Sequence, residues 1–140
     1  MPTATALYTP QVLALATSLA QWPLDAALPL HGEARSPTCG SKLAVGLQLA
    51  GNGTIERIGL RVFACAIGQA SAAIFAAAAP GLTRADLAAS EQALSRWLGG
   101  QAPLPDWPQL GLIAPARDYP ARHGAILLCW KAALAALPSS

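Results

Sequence analysis

The stretch "LAVGLQLAGNGTIERIGLRV" at residues 43–62 decides the fold. Leu43, Val45, Leu47 and Leu49 alternate with Lys42, Ala44, Gly46 and Gln48, and Ile58, Leu60 and Val62 alternate with Arg57, Gly59 and Arg61. A period of two puts each apolar set on one side of an extended chain, which is the signature of a half-buried strand. Between the two runs lies "AGNGT", residues 50–54. An Asn-Gly pair between alternating runs predicts a β-hairpin with a type I′ turn, in which both central residues carry positive φ. Asn52-Gly53-Thr54 also spells a glycosylation acceptor, but no signal peptide is read at the N-terminus and the turn reading takes precedence.

Upstream, "AALPLHGEARS" at residues 26–36 reads as a weaker extended segment, and Pro29 confines it to an edge strand. Before it, Val12, Leu15, Ala16 and Leu19 fall at helical spacing behind Thr9 as N-cap and Pro10 at the first helical position. An amphipathic helix over 10–22, stopped by Pro23, follows from that pattern.

Downstream the period changes to that of helices. "AIGQASAAIFAAAA", residues 66–79, predicts a small-residue helix stopped by Pro80-Gly81. "TRADLAASEQALSRWLGG", residues 83–100, opens on a capping-box analogue, Thr83 with Asp86, and closes on Gly-Gly. Residues 101–110, "QAPLPDWPQL", read as a proline-broken connection. A last helix over 120–137 has Ile126, Leu127, Trp130, Ala133 and Leu134 as its buried stripe. One helix, a small three-stranded antiparallel sheet and then three or four helices packed on one face make an α+β fold. With 140 residues and no composition break, a single domain over 1–140 is expected.

Composition narrows the partners. Hydrophobic residues make up 54% of the chain and charged ones 11%, far from the composition of disordered chains. The net charge of +2 is scattered, with no Lys or Arg run able to neutralise several phosphates, so nucleic acid is not an expected partner. Residues 62–83 lack charge, but they are mostly alanine, with Gln69, Ser71, Pro80 and Gly81, and no membrane role is expected. Three cysteines are too few and too far apart for a disulfide framework, and they fit a reducing cytoplasm.

The chemistry therefore rests on Cys39, Cys65 and Cys129. Cys39 sits in the turn "SPTCGSK" entering the hairpin and Cys65 in the turn leaving it, so a hairpin that returns on itself brings both to one end of the sheet. Cys65 also precedes a helix start, where unpaired N–H groups and the helix dipole favour a negatively charged sulfur. The plainer alternative is that each is a small apolar side chain, since free cysteine is among the most buried residue types. The carboxylates are scattered, and no phosphate loop or Ser/His/Asp arrangement competes.

Three motifs carry a resemblance. "SPTCGS" (36–41) resembles the Pro-x-Cys-Gly-Asp turn of the NifU/IscU-type iron–sulfur cluster assembly scaffolds. "ACAIGQASAA" (64–73) is similar to their second cysteine motif, and "YPARHGAILLCWKAAL" (119–134) to their third region, best to the zinc-containing SufU-like branch. The resemblance implies a scaffold or carrier for a [2Fe–2S] cluster or iron, or, in the SufU branch, a zinc protein that accepts sulfur from a cysteine desulfurase. Apo iron–sulfur proteins would be its other partners. The family's ligands are three cysteines and an aspartate, of which Cys39 and Cys65 carry over.

Ser41 stands at the aspartate's place and Ala125 at that of the third cysteine, with Cys129 one helical turn further on. The expected metal or cluster ligands are thus Cys39 and Cys65, with Cys129, His123 and Ser41 as candidates for the rest; His31 is a weaker one. Two cysteines from each of two protomers would restore a tetrahedral set, so a homodimer is among the expectations. The alternative is a degenerate, metal-free scaffold acting as a binding module or sulfur acceptor. The chaperone-recognition segment "LPPVK" of the housekeeping scaffolds is replaced here by "DYPAR".

Overall fold

A computed structural model describes residues 7–37 and 40–138. The chain runs through α1 (Pro10–Thr17), β1 (Leu30–Arg35), β2 (Lys42–Leu49), β3 (Ile55–Phe63), α2 (Ala66–Ala78), α3 (Arg84–Leu98) and α4 (His123–Ala136), with 3-10 turns at 18–21, 110–118 and 120–122. The strands form an antiparallel sheet in the order β1-β2-β3, so the segment expected at an edge is at an edge. This is the expected α+β architecture.

The two sides of the sheet are treated differently. Leu43, Val45 and Leu47 of β2 are buried on the inner side, where α4 crosses β1 and β2. The crossing is close enough that a Cβ at Gly32 would stand 2.2 Å from the Ala132 carbonyl oxygen. Behind α4 lie α2 and α3, with α1 against α2. Phe75 stacks on Trp107 at 5.7 Å between ring centroids, and Trp130 meets both rings edge-on at 5.1 Å. Truncating such a buried aromatic costs about 3–5 kcal/mol. Trp107 also donates its indole N–H to the Ile74 carbonyl oxygen at 3.0 Å, tying the proline-broken connection to α2.

The outer side is half roofed. The Leu60 N–H donates to the Trp22 carbonyl oxygen (2.8 Å), and Pro23 bridges Leu60 in parallel. That draws residues 22–28 across Gly46 and Gly59; a Cβ at Gly59 would lie 2.5 Å from the Pro23 carbonyl oxygen. Among the described residues, nothing covers the ranks nearer the 36–41 turn in this way.

Three local expectations are corrected. The hairpin turn is not type I′: the Gly53 N–H donates to the Ala50 carbonyl oxygen (3.0 Å) and the Ala50 N–H to that of Thr54 (2.8 Å), while only Gly53 has positive φ, at 83°. This is the three-residue loop whose left-handed glycine forms a bulge. Asn52 remains right-handed because its side chain accepts from the Thr54 N–H (3.2 Å) and hydroxyl (2.7 Å).

The first helix is α-helical only to Thr17 and tightens to 3-10 over 18–21. Thr17 and Ser18 hydroxyls donate to the Leu13 and Leu15 carbonyl oxygens, competing with the helix for acceptors. In the last helix, Leu127 and Leu134 are half-buried, whereas Ala125, Leu128, Cys129 and Ala132 are buried. A single stripe fails because α4 is enclosed by sheet on one side and helices on the others.

Candidate functional site

Lys42 opens β2, Phe63 closes β3, and the two are register partners. Just before Lys42, the Ser36 N–H donates to the Ser41 carbonyl oxygen (2.8 Å) and the Gly40 N–H to that of Ser36 (3.2 Å), closing a tight turn. Cys39 itself lies outside the described residues, but Pro37 and Gly40, which flank it with Thr38, belong to this turn. Two residues after Phe63 stands Cys65. The hairpin thus returns the second cysteine to the sheet end that carries the first turn.

Cys65 is the N-cap of α2, with extended backbone (φ −65°, ψ 171°) and a half-buried side chain. Its sulfur makes no capping hydrogen bond. The junction is fixed around it instead: the Gln69 N–H donates to the Cys65 carbonyl oxygen (2.9 Å), and the Gln69 side-chain amide to that of Ala64 (2.9 Å). The backbone at this junction is fixed while the sulfur takes no part in the cap.

The start of α4 meets this junction. A Cβ at Gly68 would be 2.7 Å from the Ala64 Cβ and 3.1 Å from the Ala125 Cβ, so Ala64 and Ala125 both close over Gly68 in the first turn of α2. Ser71 holds the two helices together by donating its buried hydroxyl to the Ile126 carbonyl oxygen at 2.8 Å. Position 125 therefore lies against the first turn of the helix that Cys65 caps, and it carries a methyl group, 2% exposed.

Cys129 is not beside it. One turn along α4, it is 1% exposed within the hydrophobic core, and burial pushes its thiol pKa well above the ordinary value. A sulfur packed in this way behaves as a small apolar side chain.

His123, the first residue of α4, places Nε2 2.7 Å from the Arg117 carbonyl oxygen. A carbonyl only accepts, so Nε2 carries a proton, and Nδ1 is the ring nitrogen left to face a ligand. Metal-bound histidines are commonly oriented in this way. The neighbouring Arg122 donates Nη2 to the Tyr8 hydroxyl at 3.2 Å, fixing the turn before α4 against the start of the chain. Ser41 is 5% exposed and offers a neutral oxygen where a carboxylate was expected. His31 is exposed on β1, in register with Gly46. Among the described residues, no three His, Cys, Asp or Glu side chains come together as a metal group.

Sequence reading missed the outer-face residues at the same sheet end: Arg35, Lys42 and Phe63 form one cross-strand rank, Glu33, Ala44 and Arg61 the next. The signal was present in the polar half of the strand alternation, once the edge strand is set in register. It also missed Trp107 as a core residue. No helix among the described residues is long and apolar enough to cross a membrane, and the uncharged run over 62–83 ends as the 13-residue α2.

No family sequence model and no curated protein matches the chain. Solved structures do. The crystal structure of the N-terminal part of a nitrogen-fixing NifU-like protein from Brucella abortus matches with a TM-score of 0.83 and 30% identity, over 93% of this chain and 91% of that one. A protein from Fervidobacterium islandicum, assigned as an iron–sulfur cluster assembly scaffold of the SUF system, matches at 0.83 with 17% identity, over 97% and 100%. The second shares the fold; the first, at that identity and coverage, shares ancestry. The chain belongs to the NifU/IscU/SufU-type family.

Proposed function

We propose that this chain is a single-domain, cytoplasmic scaffold or carrier in iron–sulfur cluster assembly, holding iron or a [2Fe–2S] unit as cargo on Cys39 and Cys65. The observation that carries the reading is the convergence of the Cys39 turn and the unengaged Cys65 sulfur at one sheet end, in a chain of this family. Two thiolates are half of a tetrahedral set for iron or zinc. His123 Nδ1 is a further candidate donor, with Ser41 and His31 as weaker ones, and a second protomer can supply two more thiolates. A cysteine desulfurase as sulfur source and apo iron–sulfur proteins as recipients follow from the same reading. The chain acts as a carrier rather than an enzyme.

Anaerobic reconstitution with iron and sulfide tests this. Visible charge-transfer absorption is expected in the wild type and in Cys129→Ala, and its loss in Cys39→Ala and in Cys65→Ala. No absorption in the wild type, or absorption unchanged in Cys39→Ala, would sink the proposal.

A second reading is favoured by Ala125: the buried position beside the site holds no ligand, as in a scaffold that has lost its metal. Such a protein would still bind its assembly partner. It would do so undiminished in a Cys39→Ala/Cys65→Ala double variant whose wild-type parent takes up no iron or zinc.

A further inference from the structure

The roof over the outer sheet face stops at the Gly46–Gly59 rank, and among the described residues the two ranks nearer the 36–41 turn are open. They floor a depression of about 340 Å³ lined by Glu33, Arg35, Lys42, Ala44, Arg61 and Phe63, among others. Phe63 is 58% exposed, with the Lys42 ammonium 5.1 Å from its ring centroid. Three cations face a single carboxylate, and neither Arg35, Lys42 nor Arg61 forms an ion pair among the described residues. Arg35 and Lys42 are direct cross-strand partners, a like-charge placement that destabilises a sheet unless an anion sits between the two.

We propose that this open half of the outer face docks an acidic peptide segment of a partner protein. Its carboxylates would lie between Arg35, Lys42 and Arg61, and an apolar side chain would cover Phe63. A lone inorganic anion has no use for the exposed ring. Nucleic acid needs a longer row of cations than three with a carboxylate among them. The depression is at the small end of ligand pockets, the size of a few side chains. It borders the turn that leads to Cys39 and the strand end that leads to Cys65, so a partner held here is held beside the cysteines.

The inference rests on charge and register, not on metal binding. A fluorescein-labelled octapeptide of alternating Glu and Leu, titrated with the full-length protein and followed by anisotropy, is the probe. Binding is expected, weakening as salt rises past about 0.1 M, where the Debye length falls to about 10 Å. Arg35→Glu/Arg61→Glu is expected to reduce affinity at least about tenfold and Phe63→Ala about threefold, both with unchanged circular dichroism. Arg96→Glu, outside the depression, is expected to leave affinity unchanged. The Cys39→Ala/Cys65→Ala variant is expected to bind as the wild type does, which separates failure of docking from failure of cluster assembly. Unchanged binding in the arginine double variant, an equal loss in Arg96→Glu, or displacement of the peptide by an equal concentration of single-stranded oligonucleotide would overturn the proposal.

Discussion

Cys65 and Cys129 are the same side chain on neighbouring helices, and their surroundings differ in burial and in access. Cys65 ends a strand and starts a helix, half-buried, with its backbone fixed and its sulfur unengaged. Cys129 lies within α4, enclosed by sheet and helices, its thiol held neutral by desolvation. One helical turn separates Cys129 from Ala125, which packs over Gly68 in the first turn of the helix that Cys65 caps. The difference is one of address: the thiol at an element end stays partly accessible, and the thiol within an element becomes packing.

The largest effect is expected from undoing the enclosure. Gly32→Val would drive side-chain atoms into the Ala132 carbonyl and Ala136, and is expected to cost more than about 3 kcal/mol in chemical denaturation, or to prevent folding. In such a variant Cys129 should react with iodoacetamide as readily as Cys65; in the wild type its alkylation should track global unfolding. Cys129→Ser places a hydroxyl in the same core and is expected to destabilise by about 2 kcal/mol without reducing iron or zinc uptake. Loss of uptake in that variant would break the contrast.

Ala125→Cys sharpens it from the other side. A thiol at this position adds a third sulfur next to the Ala64–Cys65 junction, and anaerobic zinc titration should show affinity rising by about tenfold, roughly 1.4 kcal/mol. Unchanged affinity would mean that the start of α4 does not face the metal. The smallest effect is on pH. Cys129 keeps its proton in the folded state above the pH at which the unfolded chain releases it, so its contribution is complete at neutral pH and declines as pH rises through the ordinary thiol range. Comparing the wild type with Cys129→Ala, the wild type should lose under about 1 kcal/mol more by about pH 9.

The strands, their order, the Thr83–Asp86 capping box and the stop at Pro80-Gly81 were legible because each depends on neighbours in sequence. The hairpin was legible and its turn type was not, since Asn52 spends its side chain on Thr54 rather than on a left-handed conformation. The α4 stripe was misjudged because burial from three sides erases amphipathic periodicity. For the site, sequence brought Cys65 and the Cys39 turn to one sheet end, and its count put position 125 next to them. The outer-face cations escaped it because each looked like an ordinary solvated strand residue until the register set Arg35 opposite Lys42.

The register at the cysteine end of the sheet is set in two places. β3 runs nine residues from the Gly53 turn to Phe63, roughly 30 Å of extended chain, and its pairing with β2 shifts once on the way, between Gln48 and Leu49, where Glu56 is the extra residue. A deletion beyond that irregularity that slipped the count by one would turn the β3 side chains from Arg57 to Phe63 to the opposite face and shift Cys65 along the sheet end. Glu56, a surface residue far from the cysteines, thereby shares in placing them.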